Sequence, residues 1–122
     1  MIRTYDDNNI FAKILRNEIP NDTVYEDDNV LAFNDISPLA PVHILVIPKG
    51  KYISLTDFTK NGSPEEITAL YRAVGIIVEK LNLDKDGYRT ITNTADFGGQ
   101  EVPHLHIHIL GGRKLKSCVD NV

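Results

Sequence analysis

Three of the chain's four histidines occupy alternate positions of one seven-residue stretch, His104-Leu105-His106-Ile107-His108-Ile109-Leu110. Such alternation is the pattern of a β-strand whose two faces meet different surroundings. His104, His106 and His108 line one face. Leu105, Ile107 and Ile109 line the other and belong on the core. A lone histidine on a strand is usually a structural residue. Three facing one way, with Gly98-Gly99 before them and Gly111-Gly112 after, point to chemistry.

Two kinds of chemistry suit such a row. A zinc ion needs ligand bonds of about 2 Å, and histidines at i and i+2 can share one. All three on one ion would strain a regular strand, where same-face neighbours stand about 6.6 Å apart and the outer pair about 13 Å. His43 is the only other imidazole, and Cys118 the only thiol. The row is better matched to an elongated phosphate substrate. Close imidazolium charges repel, so the three cannot all be protonated near neutral pH. His106 has two such neighbours and is the best placed to stay neutral, and so nucleophilic. A flanking imidazolium could give a proton to the leaving group. Backbone N–H groups at Gly98-Gly99-Gln100 could stabilise charge developing on phosphorus.

Other elements must hold this strand. Asp7, Asn8 and Asn9 offer helix caps, and Ile10, Phe11, Ile14 and Leu15 follow at helical spacing until Pro20. Residues 24–26 and 30–34 read as a hairpin around Asp27-Asp28-Asn29. Asp35 to Pro41 is a loop with two prolines, and 42–47 is a strand that opens near His43. Residues 51–62 read as irregular. Ser63-Pro64-Glu65-Glu66 is a capping box with proline at the first helical position. It opens a long helix whose apolar stripe is Ile67, Leu70, Tyr71, Val74, Ile77, Val78 and Leu81. Residues 84–87 form a turn, 88–93 a strand and 94–100 a flexible glycine loop. Pro103 sits at the mouth of the histidine strand, where a strand tolerates it.

Composition narrows the class. The 122 residues suffice for one domain with its own core, a core region of 8–113 and a polar tail of 114–122. Lys+Arg 13 against Asp+Glu 17 leaves a net charge of -4, which argues against broad nucleic-acid binding. One cysteine makes no internal disulfide. No apolar run reaches the roughly 20 residues of a membrane span, and residues 1–9 carry no targeting pattern. A cytoplasmic protein with no membrane partner is expected.

The residues also resemble a known family. His-φ-His-φ-His-φ-φ, with φ apolar, is the signature of the histidine triad (HIT) superfamily, and 104–110 match it throughout. Phe11-Ala12-Lys13-Ile14, Glu18-Ile19-Pro20, Ala32 to Pro38, Ala40 to His43, Val46 to Lys49, Gly98-Gly99-Gln100 and Leu110 to Arg113 resemble its Hint-like branch. The resemblance implies an α+β HIT-like fold: a five-stranded antiparallel sheet with one long and one short helix, the sheet extended across a homodimer. It implies hydrolysis of purine nucleoside phosphoramidates of the adenosine monophosphoramidate type. His106 would attack the α-phosphorus and form a nucleotidyl-histidine intermediate, with no metal and no other cofactor.

The same resemblance assigns roles. His104 would protonate the leaving amine, His108 hold the phosphate, and His43 orient the triad from behind. Asn93, Gly99, Gln100 and Glu101 would contact the phosphate, and Asp35 the ribose hydroxyls. Ile10, Phe11, Ile14, Ile19, Phe33, Ile36 and Leu45 would line the slot for the base, although apolar residues also serve simply as core. Glu101 stands where many relatives carry a hydroxyl. It is expected to point away and offer only its N–H. The tail lacks a tryptophan that some relatives use to select leaving groups. Three alternatives remain: a dinucleoside polyphosphate hydrolase, a nucleotide-binding regulatory protein with incidental hydrolysis, and a metal-binding module. A transferase of the superfamily usually has glutamine in place of the third histidine, and His108 speaks against it.

Overall fold

Apolar residues at every second position build one sheet with two buried faces, and helices of unequal length cover them. The computed structural model describes residues 3–119. Met1, Ile2 and the last three residues of the expected 114–122 tail lie outside that range. The elements run α1 (Ile10–Leu15), β1 (Thr23–Glu26), β2 (Val30–Asn34), β3 (Val42–Pro48), α2 (Leu55–Asn61), α3 (Pro64–Lys80), α4 (Leu83–Asp86), β4 (Arg89–Ile91), α5 (Ala95–Gly98) and β5 (Ile107–Gly111). The five strands form one antiparallel sheet in the order β1-β2-β3-β5-β4.

The long helix α3 starts as its sequence dictates. The Ser63 side chain accepts the Glu66 N–H, Glu66 reaches back to the Ser63 N–H, and Pro64 occupies the first turn. Its buried face is Leu70, Ala73, Val74, Ile77 and Val78. These pack on Val30, Ala32, Ile44, Val46, Ile107 and Ile109, one face of the central strands. Ala73 belongs to this face although it was not in the expected stripe. Tyr71 is instead 52% exposed and Leu81 39% exposed, at the margins of the packed surface.

The short helix α1 closes the other face. Asn9 caps it by accepting the Ala12 N–H. Phe11 and Ile14 pack on Leu31, Phe33, Leu45 and Ile47, the alternate residues of β2 and β3. Phe33 pairs with Leu45, and Leu45 with His108, so one row across the sheet leads from apolar floor to imidazole.

Four expectations change. Residues 55–61 form the helix α2, capped by Ser54. Only Phe58 of that helix is buried, so it carries no apolar stripe to read. The expected strand 88–93 shortens to three residues, and the 94–100 loop contains the helical turn α5. The histidine strand also shortens. Continuing the register of Val46 with Ile107 would set Leu105 opposite Pro48, which has no N–H to give. The Leu105 N–H turns instead to the Tyr52 carbonyl at 2.8 Å, and the His104 N–H to Val102 at 2.9 Å. Only His108 of the triad lies inside the ladder.

Burial and capping predict separable costs. Ile77→Ala should lower stability by about 2–5 kcal/mol, because a fully buried side chain leaves a cavity. Ser63→Ala should cost about 1 kcal/mol. Denaturant melts of both variants check the ranking; equal losses would show that α3 is not held mainly by its packed face.

Candidate active site

Where the ladder stops, imidazole and carbonyl groups meet. Each ring nitrogen's partner decides where the protons sit. His106 Nδ1 lies 2.7 Å from the His104 carbonyl oxygen. A carbonyl only accepts, so Nδ1 carries the proton. His106 Nε2 is left with a lone pair and no protein partner among the described residues. Phe11 packs edge-on against this ring at 5.0 Å.

His108 is set by a different chain of bonds. The Leu39 N–H donates to His43 Nδ1 at 3.1 Å, so the His43 proton sits on Nε2. His43 Nε2–H donates to His108 Nδ1 at 2.9 Å, which leaves the His108 proton on Nε2. Asp35 Oδ2 stands 3.5 Å from the same His43 nitrogen, and Asp35 Oδ1 accepts the Ser37 N–H at 2.8 Å. The His106 and His108 rings meet edge-on at 5.0 Å. A nucleophilic lone pair therefore adjoins a neutral N–H donor.

His104 is placed otherwise than the row suggested. It is 0% exposed. Its Nε2–H donates to the Pro48 carbonyl at 2.9 Å, and its Nδ1 accepts the Tyr5 hydroxyl at 2.6 Å. With both nitrogens engaged and no solvent contact, this ring is not free to protonate a leaving amine. It supports the backbone carbonyl that orients His106.

Burial keeps the row uncharged. It pushes His104 down to about 4, helped by the neighbouring His106. It pushes His108 down to about 4 as well, helped by His106 and His43 and opposed by Asp35. His106 is lowered by burial too, while the His104 carbonyl, Asp35 and Glu101 favour its proton. The Glu101 side chain is exposed and makes no hydrogen bond or ion pair among the described residues.

The loop beyond β4 is organised by Gln100. Its Oε1 accepts the N–H of Ala95 at 2.9 Å, and its Nε2 donates to the carbonyls of Ile53 and Val102 at 2.7 and 3.0 Å. Arg3 also donates to that Oε1, at 2.9 Å. The Gln100 side chain is thus a brace rather than a free phosphate ligand. Ala95 adopts φ 57, a conformation that suits glycine, and Gly99 follows at φ 80. Asn93 is half-buried in the same loop, with Gly99 exposed beside it.

Of the expected base slot, Phe11, Ile14, Phe33 and Leu45 are buried in one cluster, against which Ile19 packs. Leu31 and Ile47 join them. Ile10 stands at the rim, 42% exposed, and Ile36 is 93% exposed and outside the cluster. Clefts of about 710 Å³ beside Leu81 and Arg113 and of about 480 Å³ between Tyr25 and Arg72 lie elsewhere. Neither holds a histidine, so size does not mark the site. Asp35, His43 and His108 bring potential metal-ligating atoms within 4.8 Å of one another. Here His43 and His108 are hydrogen-bonded to each other, and Asp35 stands beside them at 3.5 Å. Tyr5, Leu39 and Pro48 were not expected at the site. Tyr5 lies 99 positions from His104, and the other two act through backbone groups that no side-chain pattern reports.

An open-edged antiparallel sheet that sets a neutral imidazole with an open Nε2 lone pair beside a histidine relay defines a class of histidine-based sites. The comparisons specify it. The HIT domain family model matches residues 16–115. The purine nucleoside phosphoramidase of Escherichia coli strain K12 is 50% identical over 109 residues, 87% of this chain and 88% of that protein. A histidine triad protein from Clostridium difficile aligns with a TM-score of 0.81 at 45% identity, covering 96% of this chain and 98% of that one. A HIT family hydrolase from Legionella pneumophila aligns at 0.84 and 39% identity, covering 91% and 98%. The chain belongs to the HIT family and is a hydrolase of the histidine triad type. No described helix is long and apolar enough to cross a membrane.

Neutral buried histidines make stability depend on pH in a definite direction. Below about pH 6.5 the unfolded chain takes a proton at position 104 that the folded protein refuses until about pH 4. Protons then favour the unfolded state, and stability falls as pH drops through that window. His104 alone should contribute a loss on the order of 3 kcal/mol by its lower end. Melting temperatures measured stepwise from neutral pH downward should begin falling near pH 6.5, before the carboxylates titrate. A flat profile down to about pH 5 would contradict the buried neutral assignment.

Proposed function

We propose that this enzyme cleaves purine nucleoside phosphoramidates of the adenosine monophosphoramidate type to the nucleoside monophosphate and an amine. One observation carries the reading: His106 Nδ1–H is committed to the His104 carbonyl at 2.7 Å, which leaves Nε2 as the free lone pair of the triad. The similarity to the E. coli phosphoramidase supports the choice of substrate.

In the first step His106 Nε2 attacks the α-phosphorus. The P–N bond breaks and its electron pair leaves with the amine nitrogen, which takes a proton from solvent. His106 becomes a nucleotidyl-imidazolium whose Nδ1–H stays on the carbonyl. Water then attacks the same phosphorus, the P–Nε2 bond breaks, and its pair returns to the ring. The water proton goes to solvent. His108 Nε2–H, fixed by the His43 relay, donates to a phosphate oxygen in both steps. The Glu101 N–H and the side chain of Asn93 complete the phosphate contacts; the Gly99 and Gln100 N–H groups, expected to help, are instead committed to the Asp96 and Ala95 carbonyls at 3.1 and 3.0 Å. Asp35 takes the ribose hydroxyls, and the cluster around Phe11, Phe33 and Leu45 forms the floor under the base. No step calls for a metal.

We also propose a homodimer that continues the sheet past β4. The β4 edge is open, and a cleft of about 370 Å³ beside it is lined by Tyr71, Gly75, Tyr88, Thr90 and Thr92. Tyr71 and Tyr88 are large apolar residues left exposed in the single chain. A cytoplasmic setting suits a fold that uses no disulfide.

Purified protein should release AMP from adenosine phosphoramidate, and rapid quenching should trap a covalent adenylyl adduct. His106→Ala and His106→Asn should each lower kcat by at least about a thousandfold, with nucleotide binding largely kept. Near-native turnover by the Ala variant would overturn the covalent route.

A further inference from the structure

We propose that Tyr5 is a positioning residue for catalysis: its hydroxyl, donated to His104, fixes the carbonyl that in turn fixes His106. The inference rests on the reading of His106 as nucleophile. It begins with the ladder. Strand pairing stops at Ile107, so no strand hydrogen bond sets the direction of the His104 carbonyl. Side-chain bonds replace it. The His104 ring is held at one end by the Pro48 carbonyl, at 2.9 Å, and at the other by the Tyr5 hydroxyl, at 2.6 Å. The two rings also pack edge-on at 5.6 Å.

With Tyr5 in place His104 is fully buried, and the Tyr5 hydroxyl is the partner its Nδ1 has among the described residues. The charge-bearing neighbour that acts on this ring is His106 itself. Burial raises the Tyr5 phenol above its usual range, which keeps the hydroxyl protonated as a donor.

Tyr5 does not reach His104 by chance of a loose terminus. Residues 3–9 form a strap tied down along its length. Arg3 donates to Gln100 at 2.9 Å, Lys51 pairs with Asp7 at 2.8 Å, and Arg16 donates to the Asp7 carbonyl at 2.8 Å. Asn9 ends the strap as the buried cap of α1. Through Arg3 the same strap touches the brace of the phosphate loop, and through Tyr5 it touches the support of the nucleophile. Both sides of the reacting centre thus share one N-terminal tether.

Tyr5→Phe in the full-length protein tests this, because it keeps the ring and removes one hydroxyl. Tyr25→Phe is the control: its hydroxyl donates to Asp27 at 2.8 Å in the β1–β2 hairpin, away from the triad. With adenosine phosphoramidate, Tyr5→Phe should lower kcat about tenfold and leave KM within about twofold. An NMR titration of the substrate-free protein should show His104 titrating at higher pH than in the wild type, since the bond favouring its neutral form is gone. The acid limb of the rate profile should follow. Tyr25→Phe should lower only the melting temperature. If Tyr5→Phe lowers only the melting temperature too, with kcat and the His104 titration unchanged, Tyr5 is merely structural and the proposal fails. If the wild type releases no AMP, the substrate reading fails instead. The link from Tyr5 to His104 is then judged on the titration, which overturns it by staying put.

Discussion

The hydrogen bond from His106 Nδ1–H to the His104 carbonyl is the contact on which the rest of the site depends. It exists because the sheet ends early. Pro48 and Pro103 supply no N–H where the β3–β5 ladder would continue, so the backbone from Val102 to His106 is released from strand pairing. A carbonyl that a ladder would have consumed becomes an acceptor for a side chain. The His106 tautomer is therefore a consequence of strand termination, and the two prolines that end the ladder are as much part of the site as the histidines.

The electrostatics follow from the same arrangement. A row of imidazolium ions would attract phosphate but could not attack it. Burial instead holds His104 and His108 neutral at physiological pH, and the Leu39 N–H fixes the sense of the His43–His108 relay. The row then offers one lone pair and one N–H donor side by side. Two carboxylates, Asp35 and Glu101, favour a proton on His106, and burial opposes them. Burial wins that balance, so the ring stays uncharged and its Nε2 lone pair stays open.

Much of this architecture was legible in the residues. Period-two alternation assigned Leu105, Ile107 and Ile109 to one face and the histidines to the other, and their burial against α3 follows it. Ser63, Pro64 and Glu66 announced α3 because a capping box is a local device. What escaped notice was non-local or carried by backbone. Alternation marks faces but not where pairing stops, so His104 read as one of three equal imidazoles rather than as a sealed support. The seven residues of α2 bury only Phe58 and leave no periodic trace. Tyr5 looked like part of a polar terminus, because its partner lies 99 positions away. The family resemblance places Ile36 in the apolar slot, and in this chain its loop turns it to solvent.

The proton positions are the most direct test. Nitrogen NMR of labelled histidine rings in the substrate-free protein at neutral pH distinguishes imidazolium from each neutral tautomer. The three triad rings should be neutral, with the proton on Nδ1 in His106 and on Nε2 in His104 and His108, and the His43 Nε2 should carry the proton it donates to His108. A charged His106 or His108, or a proton on His106 Nε2, would contradict the account, because the lone pair on which the proposed attack depends would not be there.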